Sequence, residues 1–303
     1  MTVLAIDSGQ TAIKVSLDDL VLSFPGVRTN TGLLPQLADV VAQVAGGNSH
    51  GLDLAVGTTG LTAADNDPAE LLRLTEQYGV RRVLLAHDSV TSFLGAVGDR
   101  RGVVCAAGTG VITFGVGTDT VARVDGWGNI ISDAGSGYWI GREALEAVLR
   151  AYDGRGPATA LTDVVKQRFP ILEDAYIELQ TNPDRVRVVG TFAPAVSALA
   201  STDKVAAGIC DRAGEELAHS AATAVVRIGE ADQANPLICL LGGVFAGERV
   251  RTSCIAALRR RWPGFAPYPA QGDGLAGARA LASLPADHPL ARHIATAGSA
   301  LVA

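Results

Sequence analysis

The chain has 303 residues, 48% of them hydrophobic, and a formal net charge of −6. A chain of this length and composition can bury a large core, and it predicts a soluble protein with two domains of ordinary size. The sequence has no basic block that would suit nucleic acid, and no apolar run has the length of a membrane span. Residues 1–7 lack the basic start of a signal peptide, so we expect a cytoplasmic protein that binds neither membrane nor nucleic acid.

The cysteines indicate reduced thiols. They lie in apolar stretches without C-x-x-C spacing, which is typical of buried cysteines. The five histidines are scattered along the chain, and this disfavours a structural zinc site. The four cysteines are Cys105, Cys210, Cys239 and Cys254.

Hydrophobic periodicity predicts alternating strands and helices in the first third of the chain, which indicates a mixed α/β domain. The predicted strands cover 3–16 (a hairpin), 21–24, 52–56 and 82–86, and the predicted helices cover 33–44, 68–79 and 89–97.

The rest of the chain repeats this organisation more loosely. It begins with a second hairpin at 103–116, followed by a glycine-rich stretch at 126–141. We predict helices at 142–152, 162–169 and 204–228, a strand at 236–241 followed by a helix to 261, a helix at 274–284, and a closing helix at 287–302.

Both hairpins place small residues at a tight turn, where backbone N–H groups can face phosphate oxygens without obstruction. Two such turns suggest one nucleotide held between two halves of the protein. No G-x-x-x-x-G-K-[ST] motif occurs, and the glycines of 135–141 fit the dinucleotide fingerprint poorly. The glycine turn at 242–247, between a strand and a helix, is a third candidate nucleotide contact.

Asp88 is the strongest candidate for chemistry. It follows the strand at 82–86 and begins a helix, a position from which open α/β sheets present functional groups. Asp and Ser are also good helix N-caps, and Ser89 is adjacent, so the residues alone leave both roles open. For Asp7 a turn-forming role is a comparable alternative.

The order of these motifs resembles the superfamily of sugar kinases, heat-shock proteins and actin. Within it, the chain is similar to the N-acetylglucosamine kinase group that includes the BadF/BadG/BcrA/BcrD ATPases. Residues 125–140, DGWGNIISDAGSGYWI, resemble that group's G-G-W-G-x-x-x-G-D-E-G-S-x-Y-W-I. The chain departs from the group's pattern where Gln10 and Ser132 replace glycines and where Ala134 replaces a glutamate.

The resemblance implies two ribonuclease-H-like (actin-like ATPase) domains with an interdomain cleft. The domains would cover 1–101 and 102–285, with a helix at 286–303 packing back on the first. Family habit implies a homodimer.

The resemblance also implies an ATP- and Mg²⁺-dependent kinase that phosphorylates the 6-hydroxyl of N-acetylglucosamine. Asp88 would be the general base and would contact the sugar, and Asp7 would hold Mg²⁺, through water because Mg²⁺ dehydrates reluctantly. Lys14 fits a phosphate contact or an outward-facing strand residue, and Trp127 fits a sugar contact or a core position. The implied ATP-binding residues are Gly9, Gln10, Thr11, Lys14, Gly108, Thr109, Gly110, Gly242, Gly243 and Val244. The implied sugar-binding residues are Asn30, Gly57, Thr58, Trp127, Gly128 and Asp133.

Three alternatives stay open. The first is that the substrate is glucosamine or another hexosamine, since the loss of the glutamate at 134 bears on the 2-substituent of the sugar. A BadF-type ATPase that activates a dehydratase needs cysteine thiolates that share an iron–sulfur cluster. A non-catalytic sugar sensor is the third alternative, although such regulators usually carry a helix-turn-helix.

Overall fold

A computed structural model of the chain describes residues 2–9, 11–28, 31–45 and 51–299. The chain forms two compact units. The first comprises Met1–Arg101, Val116–Val121 and Pro269–Ala303, and the second comprises Gly102–Gly115 and Ala122–Tyr268. Residues 269–285, which the sequence assigns to the second domain, therefore belong to the first unit.

The described residues form ten strands and eleven α-helices. The strands are β1 Val3–Ser8, β2 Ala12–Leu17, β3 Leu20–Pro25, β4 Leu52–Thr58, β5 Val80–His87, β6 Gly102–Ala107, β7 Val111–Val116, β8 Val121–Val124, β9 Ile238–Leu241 and β10 Ile294–Gly298. The helices are α1 Leu33–Ala45, α2 Pro68–Thr75, α3 Asp88–Val97, α4 Gly137–Tyr152, α5 Leu161–Arg168, α6 Ala175–Thr181, α7 Arg185–Gly190, α8 Ala193–Leu199, α9 Lys204–Arg227, α10 Glu248–Arg261 and α11 Gly274–Ala280. None of the helices in the described part of the chain is long and apolar enough to cross a bilayer.

The second sheet repeats the order of four adjacent strands of the first, with β8, β7, β6 and β9 in the places of β3, β2, β1 and β4. The six-stranded sheet of the first unit runs β10-β5-β4-β1-β2-β3, and the four-stranded sheet runs β8-β7-β6-β9. In each sheet a strand that leads into a glycine turn pairs in parallel with a later strand, β1 with β4 and β6 with β9. The repeated strand, turn, strand pattern of the sequence is thus a repeat of topology.

Burial follows the sequence pattern closely in β4, all seven residues of which are buried. This strand pairs in parallel with β1 on one side and with β5 on the other. Continuous apolar sequence is expected for such a central strand, because both of its faces are covered. One core lies between this sheet and α1 and α2, and a second core fills the other unit.

The predicted closing helix is wrong. The tail forms a short 3₁₀ turn at Pro289–His293 and then β10, which pairs antiparallel with β5 at the edge of the first sheet. Pairing satisfies the backbone groups that β5 would otherwise leave open at a sheet edge, and no local pattern in the tail reports this distant partner. The sequence analysis predicts no element for 175–199, where α6, α7 and α8 lie. Its helix at 142–152 begins five residues later than α4 does in the structure.

Helices α3 and α11 approach each other through glycine. A Cβ atom at Gly277 would lie 1.7 Å from the carbonyl oxygen of Thr91, and one at Gly95 would lie 1.9 Å from that of Asp273. Only a residue without a side chain permits backbone to approach backbone this closely. This contact joins residues 269–285 to the first unit.

We therefore expect Gly277→Ala to destabilise the protein by about 3 kcal/mol, because the added methyl group has no space and the opposing atoms are backbone. The measurement is urea unfolding followed by circular dichroism. Gly208→Ala is the matched control: a Cβ there meets only the end of the Arg212 side chain at 3.7 Å. In mid-α9 the control should stabilise by about 0.5–1 kcal/mol through helix propensity. Equal stability of the two variants would contradict the packing argument.

Candidate functional site

The first unit gathers polar side chains at one edge of its sheet. Strands β1, β4 and β5 are parallel, and their carboxyl ends are in register: Gly57 pairs with Asp7 and with Ala86, and Thr58 pairs with Ser8 and His87. Asp88 follows immediately. Asp7, Gly57, Thr58 and Asp88, four of the residues that the sequence selects, therefore lie at the same edge.

Asp88 is the first residue of α3, and its carboxylate does not cap the helix. The cap is His87, whose Nδ1 accepts the N–H of Ser89 at 3.2 Å. The same Nδ1 lies 2.8 Å from Oδ1 of Asp88, whose side chain is one-third exposed. The capping alternative for Asp88 is thus taken by its neighbour, a histidine that the sequence reading did not select.

Asp7 lies in a small cluster of charges. A Cβ at Gly274 would be 2.7 Å from both carboxylate oxygens of Asp7, so the carboxylate rests on the first turn of α11. Burial raises the pKa of Asp7 to about 6, and the negative charges of Asp273 and Asp88 add to the rise while Lys14 opposes it. Asp7 is therefore a carboxylate whose charge is held at a cost in free energy.

Lys14 is directed to a protein partner. Its Nζ lies 3.0 Å from Oδ2 of Asp273, and both side chains are about half exposed. Asp273 also caps α11 by accepting the N–H of Ala276 at 3.2 Å. The ammonium group and the hydrogen bond hold the pKa of Asp273 below its usual value, against the opposing effect of burial. Lys14 is thus an outward strand residue, and its charge is already compensated.

The first turn, between β1 and β2, is closed by one of its own backbone N–H groups. The N–H of Gly9 donates to the carbonyl of Ala12 at 3.0 Å, which closes the hairpin between β1 and β2. Thr11 is exposed on the same turn. Gln10 and Asn30, which the sequence assigns to ATP and sugar, lie outside the described residues.

The second turn, at 108–110, is joined to the start of α4. The N–H of Gly108 donates to the carbonyl of Gly110 at 2.8 Å. The N–H groups of Gly137 and Tyr138 donate to the carbonyls of Gly108 and Thr109 at 2.8 and 2.9 Å. The turn is therefore fixed by otherwise unpaired amides of a helix N-terminus.

Asp133 connects this turn to the glycine-rich stretch. It is 7% exposed, and its Oδ1 accepts the N–H of Gly128 at 3.1 Å. A Cβ at Gly110 would lie 2.9 Å from Oδ2 of Asp133. Burial raises the pKa of Asp133, and the hydrogen bond from Gly128 lowers it. Asp133, Gly128 and Gly110, which the sequence assigns to sugar or ATP, thus lie next to one another.

Trp127 is 56% exposed, which excludes the core position that the sequence left open. The guanidinium of Arg123 lies 4.3 Å from the centre of the indole ring. This cation–π contact holds the ring at the surface while leaving much of it accessible.

A cavity of about 1060 Å³ opens in the second unit. Gly108 and Thr109 of the second turn line it, as do Gly243 and Val244, which follow β9. Gly242 is not in the lining: it has a φ of 96°, and a Cβ there would lie 2.3 Å from the carbonyl oxygen of Ala107. Its role is to let β9 pass close to the end of β6, which brings the next two residues to the cavity.

Most of the cavity wall was missed by sequence reasoning. It is made by α8, the start of α9 and the start of α10. Arg249 of α10 donates two hydrogen bonds to the carboxylate of Asp211 on α9, at 2.7 and 2.8 Å. No local motif marks such a wall, because its residues converge from three separate helices.

The comparisons with known proteins give a family and a fold. The model of the BadF/BadG/BcrA/BcrD ATPase family matches residues 3–282. An N-acetylmuramic acid/N-acetylglucosamine kinase of Clostridium acetobutylicum is 32% identical over 111 residues, 36% of each chain. An N-acetyl-D-glucosamine kinase of Dictyostelium discoideum is 35% identical over 121 residues, 38% of each chain. The chain thus spans little more than a third of the length of these curated relatives.

Solved structures match nearly the whole chain. A candidate N-acetylglucosamine kinase from Chromobacterium violaceum superposes with a TM-score of 0.69 at 21% identity, covering 92% of this chain and 98% of that one. A ROK hexokinase from Thermus thermophilus gives 0.57 at 16% identity, covering 93% and 97%. The expected fold class, mixed α/β with the actin-like ATPase fold, is confirmed.

The raised pKa of Asp7 predicts a pH-dependent cost to stability. The folded protein holds a proton on Asp7 up to about pH 6, whereas the unfolded chain releases it near 3.8. Stability contributed by this group therefore falls as pH rises from about 4 to 6.

We expect Asp7→Asn to stabilise the protein at pH 7.5 by about 1–2 kcal/mol after allowance for partial exposure. The difference should vanish near pH 4. Thermal melts across this range measure it, with exposed Asp39→Asn as the control, and a benefit independent of pH would contradict the assignment.

Proposed function

The chain belongs to the BadF/BadG/BcrA/BcrD ATPase family, and from that premise we propose that it is an ATP-dependent amino-sugar kinase. Its substrate would be N-acetylglucosamine, phosphorylated at the 6-hydroxyl with Asp88 as general base. The observation that carries the proposal is the cavity of about 1060 Å³ in which a hairpin turn and a strand-to-helix turn meet. That volume is at the upper end for ligand pockets and is ample for a nucleoside triphosphate.

The nucleotide would lie in this cavity with its phosphates towards the second turn. In the second unit the amide of Gly108 is engaged within its own turn, so Thr109 and Gly110 are the better candidates for phosphate contacts among the described residues. In the first unit the amide of Gly9 is engaged in the same way, and Thr11 is the candidate there. Gly243 and Val244 would face the nucleoside end. The Arg249–Asp211 pair would hold the wall of the cavity rather than the phosphates, because each charge already has its partner.

Asp88 is suited to the role of general base. Phosphoryl transfer proceeds through a loose transition state, in which catalysis depends on alignment and on charge stabilisation. A carboxylate oxygen of Asp88 would accept the hydroxyl proton while the sugar oxygen bonds to the γ-phosphorus and the bond to the ADP oxygen breaks. His87 Nδ1 lies 2.8 Å from the carboxylate. A proton on this nitrogen would let the ring donate to Asp88 and hold its orientation, in place of accepting the N–H of Ser89.

Asp7 is the candidate for the Mg²⁺ that accompanies ATP. In kinase sites Mg²⁺ is held by one or two carboxylates together with phosphates and water. No group of three or more metal-binding side chains exists among the described residues, so the donor set fits an ion held largely by the nucleotide. Bound Mg²⁺ would neutralise charge that develops on the phosphates. Bound Mg²⁺ would favour the ionised form of Asp7, whose pKa is raised to about 6 by burial.

On the first unit, Gly57, Thr58 and Asp88 are the candidates for contact with the amino sugar. On the second unit, the candidates are Trp127, Gly128 and Asp133. The carboxylate of Asp133 accepts the backbone N–H groups of Gly128 and Val111, and its remaining lone pairs can accept a sugar hydroxyl. The exposed indole of Trp127 offers an apolar face to a sugar ring. Asn30 would complete this set.

The cysteines disfavour the iron–sulfur alternative. All four are buried free thiols. Burial raises the pKa of Cys105 to about 12 and that of Cys239 to about 11. Ligation of a shared cluster needs accessible thiolates, and thiols of this kind supply neither accessibility nor charge. Iron bound at one cluster per two chains would overturn this reasoning.

We expect Asp88→Asn to lower kcat by at least about a hundredfold, since general-base catalysis contributes factors of this order. The KM values for sugar and ATP should change little. The measurement is ADP release with ATP and Mg²⁺ over N-acetylglucosamine, glucosamine, N-acetylmannosamine and glucose. Exposed Asp99→Asn, at the end of α3, is the control. An unchanged kcat would remove Asp88 from the mechanism, and absence of sugar-dependent turnover by the native chain would overturn the kinase proposal.

The assignment of the cavity to ATP is tested by Gly243→Leu. A Cβ at Gly243 meets no atom within 4 Å, so the new side chain can occupy the cavity without straining the protein. We expect the Kd for ATP to rise by about tenfold or more, because the leucine takes volume from the ligand. Gly264→Leu also adds a side chain in open space but lies outside the cavity lining, and it should bind ATP normally. Equal affinities would place the nucleotide elsewhere.

A further inference from the structure

One carboxylate organises the loop between β8 and α4. Oδ1 of Asp125 accepts the N–H of Gly126 at 2.7 Å, the N–H of Asp133 at 2.9 Å and the hydroxyl of Ser132. Its Oδ2 accepts the N–H of Ala134 at 3.2 Å. The side chain of Asp125 thus joins the two ends of the loop, and its hydrogen bonds are of the strong, charge-assisted kind.

The backbone at both ends needs such support. Asp125 and Asp133 have φ values of 60° and 62°, and Asp18 is the only other non-glycine residue with positive φ in the described part of the chain. L-residues adopt this conformation at a cost, and it persists where surrounding contacts fix it. The bond from Asp133 N–H to Asp125 is one such contact. Once fixed, Asp133 directs its carboxylate at Gly128 and Gly110.

The bonds of Asp125 also connect three departures from the family pattern that lie within residues 125–140. Where the pattern has glycine at 125 and 132 and glutamate at 134, this chain has Asp125, Ser132 and Ala134. In the structure the Asp125 carboxylate contacts both of the other two positions. The three departures therefore form one unit.

We propose that Asp125 is a positioning residue of the amino-sugar site, which replaces the missing glutamate by holding Asp133 and the 126–134 loop in a binding-competent conformation. The inference rests on the proposed function, because it takes the loop to be part of the sugar site. Its central consequence is that residue 134 and residue 125 are coupled. A glutamate at 134 is tolerated only when residue 125 carries no charge, since two adjacent carboxylates repel.

The test compares Asp125→Asn, Ala134→Glu and the triple change Asp125→Gly, Ser132→Gly, Ala134→Glu. We expect each single variant to raise the KM for the amino sugar by about tenfold or more while the KM for ATP stays within about twofold. The triple variant should recover a KM within about threefold of the native value, which independent effects do not allow. Exposed Asp119→Asn is the control for loss of an acid outside the loop.

A second readout does not depend on catalysis. Hydrogen exchange of the free protein reports the opening of 126–134, and Asp125→Asn should speed exchange there by about tenfold or more, with the rest of the second unit unchanged. The triple variant should return it towards the native rate. The coupling would be overturned if Ala134→Glu left the KM for the amino sugar unchanged. It would also be overturned if the rise in KM of the triple variant equalled the combined rises of the single variants. Loop protection that follows the expected order in a chain that phosphorylates no sugar would overturn the proposed function instead and leave the network standing.

Discussion

Parallel pairing of β1 with β4 is the constraint on which the first unit depends. It places the carboxyl ends of three strands at one edge of the sheet, so Asp7, Thr58 and Asp88 come together although they are distant in sequence. The second sheet repeats the arrangement with β6 and β9, and there the same geometry brings the 108–110 turn near the residues that follow β9. Each half of the candidate machinery is thus a consequence of strand register rather than of special loops.

Charge is distributed unevenly around these strand ends. The pKa of Asp7 is raised by burial and by the nearby charges of Asp273 and Asp88, whereas the charge of Lys14 is paired with that of Asp273. Such unbalanced charges lower the stability of a protein and are typical of functional sites. In the second unit, the charge of the buried Asp133 is stabilised by the N–H of Gly128 and by the guanidinium of Arg123.

Glycine decides how closely elements approach in both units. Gly277 allows α11 to touch the backbone of α3, and Gly242 allows β9 to touch the end of β6. Neither position needs a functional ligand to explain it. The turns that line the cavity are different, since Gly108 and Gly243 face open space where a side chain would fit. Glycine at those two positions is better explained by room for a ligand than by packing.

Sequence alone predicts the alternation of strands and helices, the two hairpins and the place of Asp88 after β5, because hydrophobic periodicity and turn chemistry are local properties. The remaining features depend on contacts between residues that are distant in the sequence. The tail forms β10 because it pairs with β5, and Lys14 forms an ion pair with Asp273, which lies 259 residues away in the sequence. Helices α8, α9 and α10 together form the cavity wall, and the carboxylate of Asp125 accepts hydrogen bonds from the far end of its loop. Such contacts depend on which distant groups must be buried or paired together, and no stretch of sequence carries that information alone.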